Sequence, residues 1–221
     1  MIRVIYEDNH LLVVEKPVNM LSQEDETGDP DMLTVLKDDI KHRYEKPGNV
    51  FLGLVHRLDR PVGGVMVFGR TSKAASRLSD QIRKREFEKT YLAVVNGSTH
   101  PIGCLEHFLE KDTATNTVRV VPGTGGSGKE AVLFYKTLKK VNGLSLVRIF
   151  LVTGRPHQIR VQFSTIGHPL LGDRKYGPEK SSPDHQLALW SSGISFYHPT
   201  TKMRMSFSCP PPDEYPWNLF A

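Results

Sequence analysis

The chain has 221 residues, of which 38% are hydrophobic and 24% charged, and a formal net charge of +5. This composition excludes a disordered or fibrous chain, and the length allows one sizeable core, read here as a single domain over 1–221. No apolar run approaches a membrane span and no secretory h-region follows Met1-Ile2-Arg3. Cys104 and Cys209 are too few for a disulfide framework or a metal cluster, so the expectation is a reduced, cytoplasmic protein with no membrane contact and an anionic partner.

In chain order, residues 2–7 and 11–15 read as short strands around the turn Glu7-Asp8-Asn9-His10. Residues 22–31 read as an acidic, solvated loop. Asp29-Pro30 looks like an N-cap followed by a first-turn proline, and Leu33, Leu36 and Ile40 mark the buried face of the helix that follows. The apolar run Phe51-Leu52-Gly53-Leu54-Val55 reads as a buried strand continuing through Asp59. Pro61 and Gly63-Gly64 close it. Val65-Met66-Val67-Phe68 forms a further strand, and a second helix runs from its N-cap Thr71 to about Glu86 with Ala75, Leu78 and Ile82 as its apolar stripe.

The end of that helix carries Arg83, Lys84 and Arg85, with Lys89 beyond. These cations either complement the helix dipole or contact phosphates. Residues 91–152 are strand-rich. Within them Glu130 to Lys140 alternates, with Ala131, Leu133 and Tyr135 on one face, and Leu144 to Val152 is almost continuously apolar. A short helix follows Gly154-Arg155-Pro156, with Ile159, Phe163 and Ile166 facing the core and Arg160 on the same side as His157. Strands near 187–196 and 203–208 come next. The Pro210-Pro211-Pro212 tail ends in Trp217, Leu219 and Phe220 and is expected to pack back on the domain.

Two segments carry possible chemistry. Gly123-Thr124-Gly125-Gly126-Ser127-Gly128-Lys129 approaches a phosphate-cradling loop, but Glu130 stands where magnesium needs a hydroxyl, and strand-like alternation follows where a helix is required. The reading is therefore a glycine-rich strand connection. His56-Arg57-Leu58-Asp59-Arg60-Pro61-Val62-Gly63-Gly64 places one carboxylate between two guanidinium groups. Flanking cations would hold Asp59 ionised, and an ionised carboxylate on a constrained loop suits nucleophilic attack. Taken alone, the pattern reads first as a surface ion pair, and it is the agreement of the rest of the chain that favours the nucleophile.

That segment resembles the His-Arg-Leu-Asp motif of the RluA-type pseudouridine synthases. The likeness extends through Tyr6 to Pro17, through Lys89-Thr90-Tyr91-Leu92-Ala93, and through Thr153-Gly154-Arg155-Pro156-His157-Gln158-Ile159-Arg160. It continues in Gly167-His168-Pro169-Leu170-Leu171-Gly172-Asp173 and Phe196-Tyr197-His198-Pro199, in the family's order. Val62-Gly63 replaces a Thr-Ser pair of the family pattern, and Trp190-Ser191 replaces His-Ala in its Leu-His-Ala stretch.

The resemblance implies an α+β fold, with a mixed, largely antiparallel sheet, flanking helices and a central catalytic cleft. It implies isomerisation of a uridine in ribosomal or transfer RNA, with base flipping, no cofactor, no metal and no obligate protein partner. Asp59 would be the nucleophile, Tyr91 the stacking platform and candidate base, and Arg160 the partner of Asp59. Arg57 would fill the gap left by the flipped base or brace the loop. Arg83, Lys84, Arg85 and Lys89 would contact RNA, and Leu187 or Leu189 would wall the base pocket. Many relatives carry an N-terminal S4-type domain. This sequence opens on the catalytic pattern, so recognition is expected through that domain alone. A non-catalytic RNA binder on the same scaffold also explains the charge, but has no need for Asp59, Tyr91 and Arg160 together. A nucleoside hydrolase would need a second carboxylate.

Overall fold

A computed structural model describes residues 2–123, 127–178 and 185–221. The chain is α+β: eleven strands, largely antiparallel, and three α-helices among the described residues. It divides into two compact units, Met1–Lys89 with Ser191–Pro210, and Thr90–Trp190 with Pro211–Ala221.

In the first unit, β1 (Arg3–Glu7) and β2 (Leu11–Lys16) pair as expected around the Asp8 turn. The Asp8 carboxylate accepts the amides of His10 and Leu11, both at 2.7 Å. The strand β4 (Gly63–Gly69) pairs antiparallel with β2, and Leu11–Val14 and Val65–Phe68 are fully buried, so this pair forms the core. β10 (Leu189–Tyr197) lies beside β4, and β11 (Arg204–Ser208) pairs with β10.

The apolar run at 51–55 yields only a two-residue strand, β3 (Gly53–Leu54), on β4, and Phe51 is half exposed. The chain around Asp59 is not strand. The Val62 amide bonds the Asp59 carbonyl at 2.9 Å and closes a turn there.

Helix α1 (Met32–Arg43) is capped by Asp31, whose carboxylate accepts the amides of Leu33 and Thr34. Asp29, the expected cap, pairs with Arg60 at 2.7 Å. The buried face is Met32, Leu36 and Ile40, and Leu33 is half-buried.

Helix α2 (Ser72–Arg83) is capped by Thr71 as expected, but it ends at Arg83, because Lys84 is its C-cap and Arg85 turns left-handed at φ 61. Its buried stripe is Ala74, Leu78 and Gln81. Gln81 replaces Ile82 on that stripe because its carboxamide bonds both the amide and the carbonyl of Tyr197, each at 2.8 Å. Gly69 is required where α2 crosses β4, since a Cβ there would lie 2.5 Å from the Ala75 amide nitrogen.

The second unit is an antiparallel sheet in the order β5 (Glu88–Asn96), β9 (Leu144–Leu151), β8 (Lys129–Val141), β6 (Ile102–Asp112), β7 (Thr117–Val121). Ala131, Leu133 and Tyr135 are its buried row on β8, as their alternation predicts. Asn142-Gly143, both at positive φ, supply the tight turn between β8 and β9. Lys129 opens β8 opposite Leu109, so the glycine-rich segment leads into a strand. Residues 124–126 of that segment lie outside the described residues.

Helix α3 (Gln158–Thr165) packs on this sheet through Phe163, whose ring lies 5.2 Å from that of Tyr135. Gln162, fully buried, donates to the carbonyls of Leu105 and Ala131. The tail does return to this unit: Trp217–Phe220 forms a 3₁₀ turn, and Lys139 donates to the Ala221 carbonyl at 2.8 Å.

Candidate active site

The Asp59 loop is held from beneath. Lys16, at the end of β2, is fully buried and donates to the carbonyls of Pro17 at 3.0 Å, Arg60 at 3.1 Å and Val62 at 2.7 Å. An ammonium has three N–H donors, and three carbonyls receive them. Burial pushes the Lys16 amine down to about 7, with the Asp59 carboxylate opposing that shift and Arg60 adding to it.

Ser22 holds the other side. Its hydroxyl donates to the Leu58 carbonyl at 2.8 Å and accepts the Leu58 amide at 3.2 Å. Asp59 itself stays half-buried between these two anchors. Arg60, one of its two flanking cations, turns to Asp29 and the Asn19 carbonyl. Arg57 is exposed. Gly64, at φ +117, sits against the Ser191 backbone where a Cβ would collide. The Ser191 hydroxyl donates to the Val65 carbonyl.

His56 has a scaffold role. Its Nε2 accepts the Val67 amide at 3.1 Å, and its ring packs 5.5 Å from Phe87. Burial, aided by the Lys89 charge, drives its pKa down to about 3, so the ring is neutral. Lys89 is half-buried and its own pKa is lowered by burial. It therefore differs in setting from Arg83, Lys84 and Arg85, which are exposed. Arg83 is already paired with Asp80.

The second unit contains Tyr91, Arg160, Leu187 and Leu189. Tyr91 lies on β5 opposite Ile149, 7% exposed, and Leu187 and Leu189 are buried. Arg160 projects from α3 and meets a partner that sequence reading missed: Asp173 receives its Nε and its Nη2, each at 2.8 Å. Burial raises the Asp173 carboxyl, but the Arg160 hydrogen bonds and charge, with the amides of Tyr176 and Lys175, outweigh it and hold the group below the usual carboxylate range. The guanidinium also lies 5.2 Å over the Tyr176 ring.

The approach to α3 is fixed just as tightly. Thr153 accepts the Val132 amide and donates to Gln158, which also receives the Arg155 amide. The left-handed His157, at φ 51, bonds the Tyr176 hydroxyl at 2.6 Å. Most of this motif thus aims Arg160. His198 in the first unit works similarly. Its ring bonds Asp8 at 2.9 Å and accepts the amides of Thr200 and Thr201, which pins the β10–β11 turn to the β1–β2 turn.

A family model described as RNA pseudouridylate synthase matches residues 10–165. A protein of Zymomonas mobilis named ribosomal large subunit pseudouridine synthase D is 30% identical over 96% of this chain and 70% of its own length. An uncharacterised RNA pseudouridine synthase of Aquifex aeolicus is 32% identical over 97% of this chain and 71% of its own length. The solved structure of human RNA pseudouridylate synthase domain containing 4 shares the fold, with a TM-score of 0.79 at 21% identity over 95% of this chain and 88% of that one. The chain belongs to the RNA pseudouridylate synthase family and is an isomerase of that class.

Two outcomes follow from this scaffold. Lys16→Met orphans buried carbonyls on the Asp59 loop and lowers stability by about 1–3 kcal/mol. Urea denaturation reads that loss, and turnover falls with it because the loop no longer closes. Asp173→Asn strands the Arg160 charge and costs about 3–5 kcal/mol at neutral pH. Because the folded pKa of Asp173 is depressed, its contribution is full above the unfolded value of 3.8 and is lost as pH falls through the folded pKa. The gap between wild-type and variant denaturation midpoints therefore narrows below pH 3.8.

Proposed function

We propose that this synthase converts a uridine of ribosomal RNA to pseudouridine, with Asp59 as nucleophile and the target base flipped out of its stack. The observation that carries the reading is the Asp59 loop, whose backbone is fastened by buried Lys16 and Ser22 while the carboxylate stays half-buried rather than sealed in the core. Rigid backbone with an accessible carboxylate is what a nucleophile requires. The substrate class rests on relatives named for the large ribosomal subunit. Transfer RNA remains the alternative substrate, and the cytoplasm the expected compartment. Both units serve one catalytic domain in this reading.

The reaction breaks the C1′–N1 bond, turns the uracil and joins C1′ to C5. Atoms and electrons balance within the nucleotide, so no metal, nucleotide or redox cofactor is needed. Asp59 attacks either C1′ or C6 and is expelled when the new bond forms. The proton on C5 passes to a base, for which the Tyr91 hydroxyl is the candidate while its ring stacks on the uracil, and N1, freed from C1′, takes up a proton in its place. Arg160 is aimed by Asp173, and Leu187 and Leu189 are the apolar wall for the base. Arg57 takes the space left by the flipped base, exposed Lys84 and Arg85 meet phosphates, and Arg83, paired with Asp80, and half-buried Lys89 add less. Flipping costs a few kcal/mol, which these contacts offset.

Asp59→Asn keeps the shape but not the nucleophile. Single-turnover pseudouridine formation should fall on the order of 10³-fold or more, with RNA affinity and thermal midpoint close to wild type. Retained turnover removes the nucleophile assignment, and unfolding makes Asp59 a structural ion-pair member. Tyr91→Phe should retain most RNA binding, because the ring still stacks, and lose most turnover. Equal single-turnover rates would leave Tyr91 a platform only.

A further inference from the structure

The strand registers of the second unit place two unusual rows side by side. Phe134 on β8 stands directly opposite Phe150 on β9, with Cys104 and Thr90 continuing the row on β6 and β5. Two residues along each strand, Lys136 stands directly opposite Arg148, with Ile102 and Leu92 continuing that row. All of these side chains share one face, because strand residues two apart point the same way. Tyr91, Ile149 and Tyr135 occupy the other face, the one that α3 covers.

The outer face is open and out of balance. Phe134 is 49% exposed, Phe150 45% and Ile102 72%. Among the described residues neither phenyl ring stacks on another ring, and neither Lys136 nor Arg148 has an ion-pair or hydrogen-bond partner. Like charges directly opposite across strands destabilise a sheet, and no carboxylate sits in that row to offset them. Glu106, the nearest carboxylate of β6 on this face, lies beyond the phenyl row, opposite Val132. Exposed aromatics beside unpaired cations are the combination that holds unpaired nucleic acid, bases on rings and phosphates on cations. A protein partner would cover the rings, but would have to supply acids for both cations.

We propose that this face is a second RNA-contact surface, a platform on which an unpaired strand stacks bases on Phe134 and Phe150 and lays phosphates along Lys136 and Arg148. The inference rests on the reading of the chain as an RNA-modifying enzyme. The rows lie about 7 Å apart along the strands, so a base on a ring leaves its backbone within reach of the two long cationic side chains. The platform faces away from Tyr91 and Arg160, so it grips substrate RNA at a distance from the flipped base.

The test uses a fluorescein-labelled 15-nucleotide oligouridylate with wild type, Phe134→Ala/Phe150→Ala, Phe134→Tyr/Phe150→Tyr and Lys136→Gln/Arg148→Gln. Removing the rings should weaken binding about tenfold or more per ring, and tyrosine should restore it. Removing the cations should flatten the slope of log affinity against log salt by about 1.4, the value for two single-strand phosphates. Wild-type affinity and slope in variants with wild-type thermal midpoints would overturn the proposal. So would variants that alter only the sedimenting mass, which would make the face an interface between copies. Pseudouridine mapping of RNA treated with wild type separates the two readings. No product alongside platform effects removes the enzyme reading alone, whereas product alongside unaltered binding removes the platform alone.

Discussion

The Lys16 ammonium gives up water entirely and replaces it with three backbone carbonyls, two of them on the Asp59 loop. A buried charge of this kind is tolerated only when its donors are satisfied and an opposite charge is near. Here the carbonyls supply the first condition and Asp59 the second. The requirement runs in both directions. The loop must bring the Arg60 and Val62 carbonyls around Pro61 to one point, and the Asp59 carboxylate stays close enough for its charge to favour the ammonium. The strand that carries Lys16 is buried along Leu11–Val14, so the anchor itself has little freedom to move.

Most residues of the recognisable motifs do the same kind of work. Ser22 clamps Leu58, neutral His56 receives the Val67 amide, and Thr153 with Gln158 ties the entry of α3 to β8. Asp173 accepts both N–H groups of one guanidinium edge of Arg160, and His198 with Asp8 joins two distant turns. Each is a polar group that would be costly if left unsatisfied in the interior, which is why its partner is so closely specified. The groups expected to touch the nucleotide are few, and the rest of each motif restricts where they stand.

How much of this the sequence discloses depends on the range of the interaction. Elements set by local pattern are legible: the β1–β2 pair, the cap at Thr71, the alternation of β8 and the short α3. Asp31 displaces Asp29 as a cap because two aspartates straddle Pro30 and local chemistry suits either; the pairing of Asp29 with Arg60 separates them, and that is a tertiary contact. The strand expected through Asp59 fails because Lys16 and Ser22 bend a segment whose apolar content alone would extend it. Lys16 escapes notice because a lysine closing an apolar strand is ordinarily solvent-exposed. Asp173 was visible within its motif, but its partner is on a helix 13 residues earlier, and no spacing rule connects them.

Net charge is a poor guide to where RNA binds, since a cation already paired has little left for a phosphate. Arg60, Arg83, Arg119, Arg160 and Arg204 each face a carboxylate within 2.8 Å. Lys16 is enclosed, and burial lowers the pKa of Lys89. The excess of +5 is therefore expressed at those cations that have no partner among the described residues, including exposed Arg57, Lys84, Lys136 and Arg148. Arg57 lies two residues from Asp59, and Lys84 caps α2 in the same unit. Lys136 and Arg148 instead share the open face of the other unit with the exposed rings of Phe134 and Phe150. On the proposed platform each phosphate engaged would release condensed counterions whether or not it adjoins the reacting base.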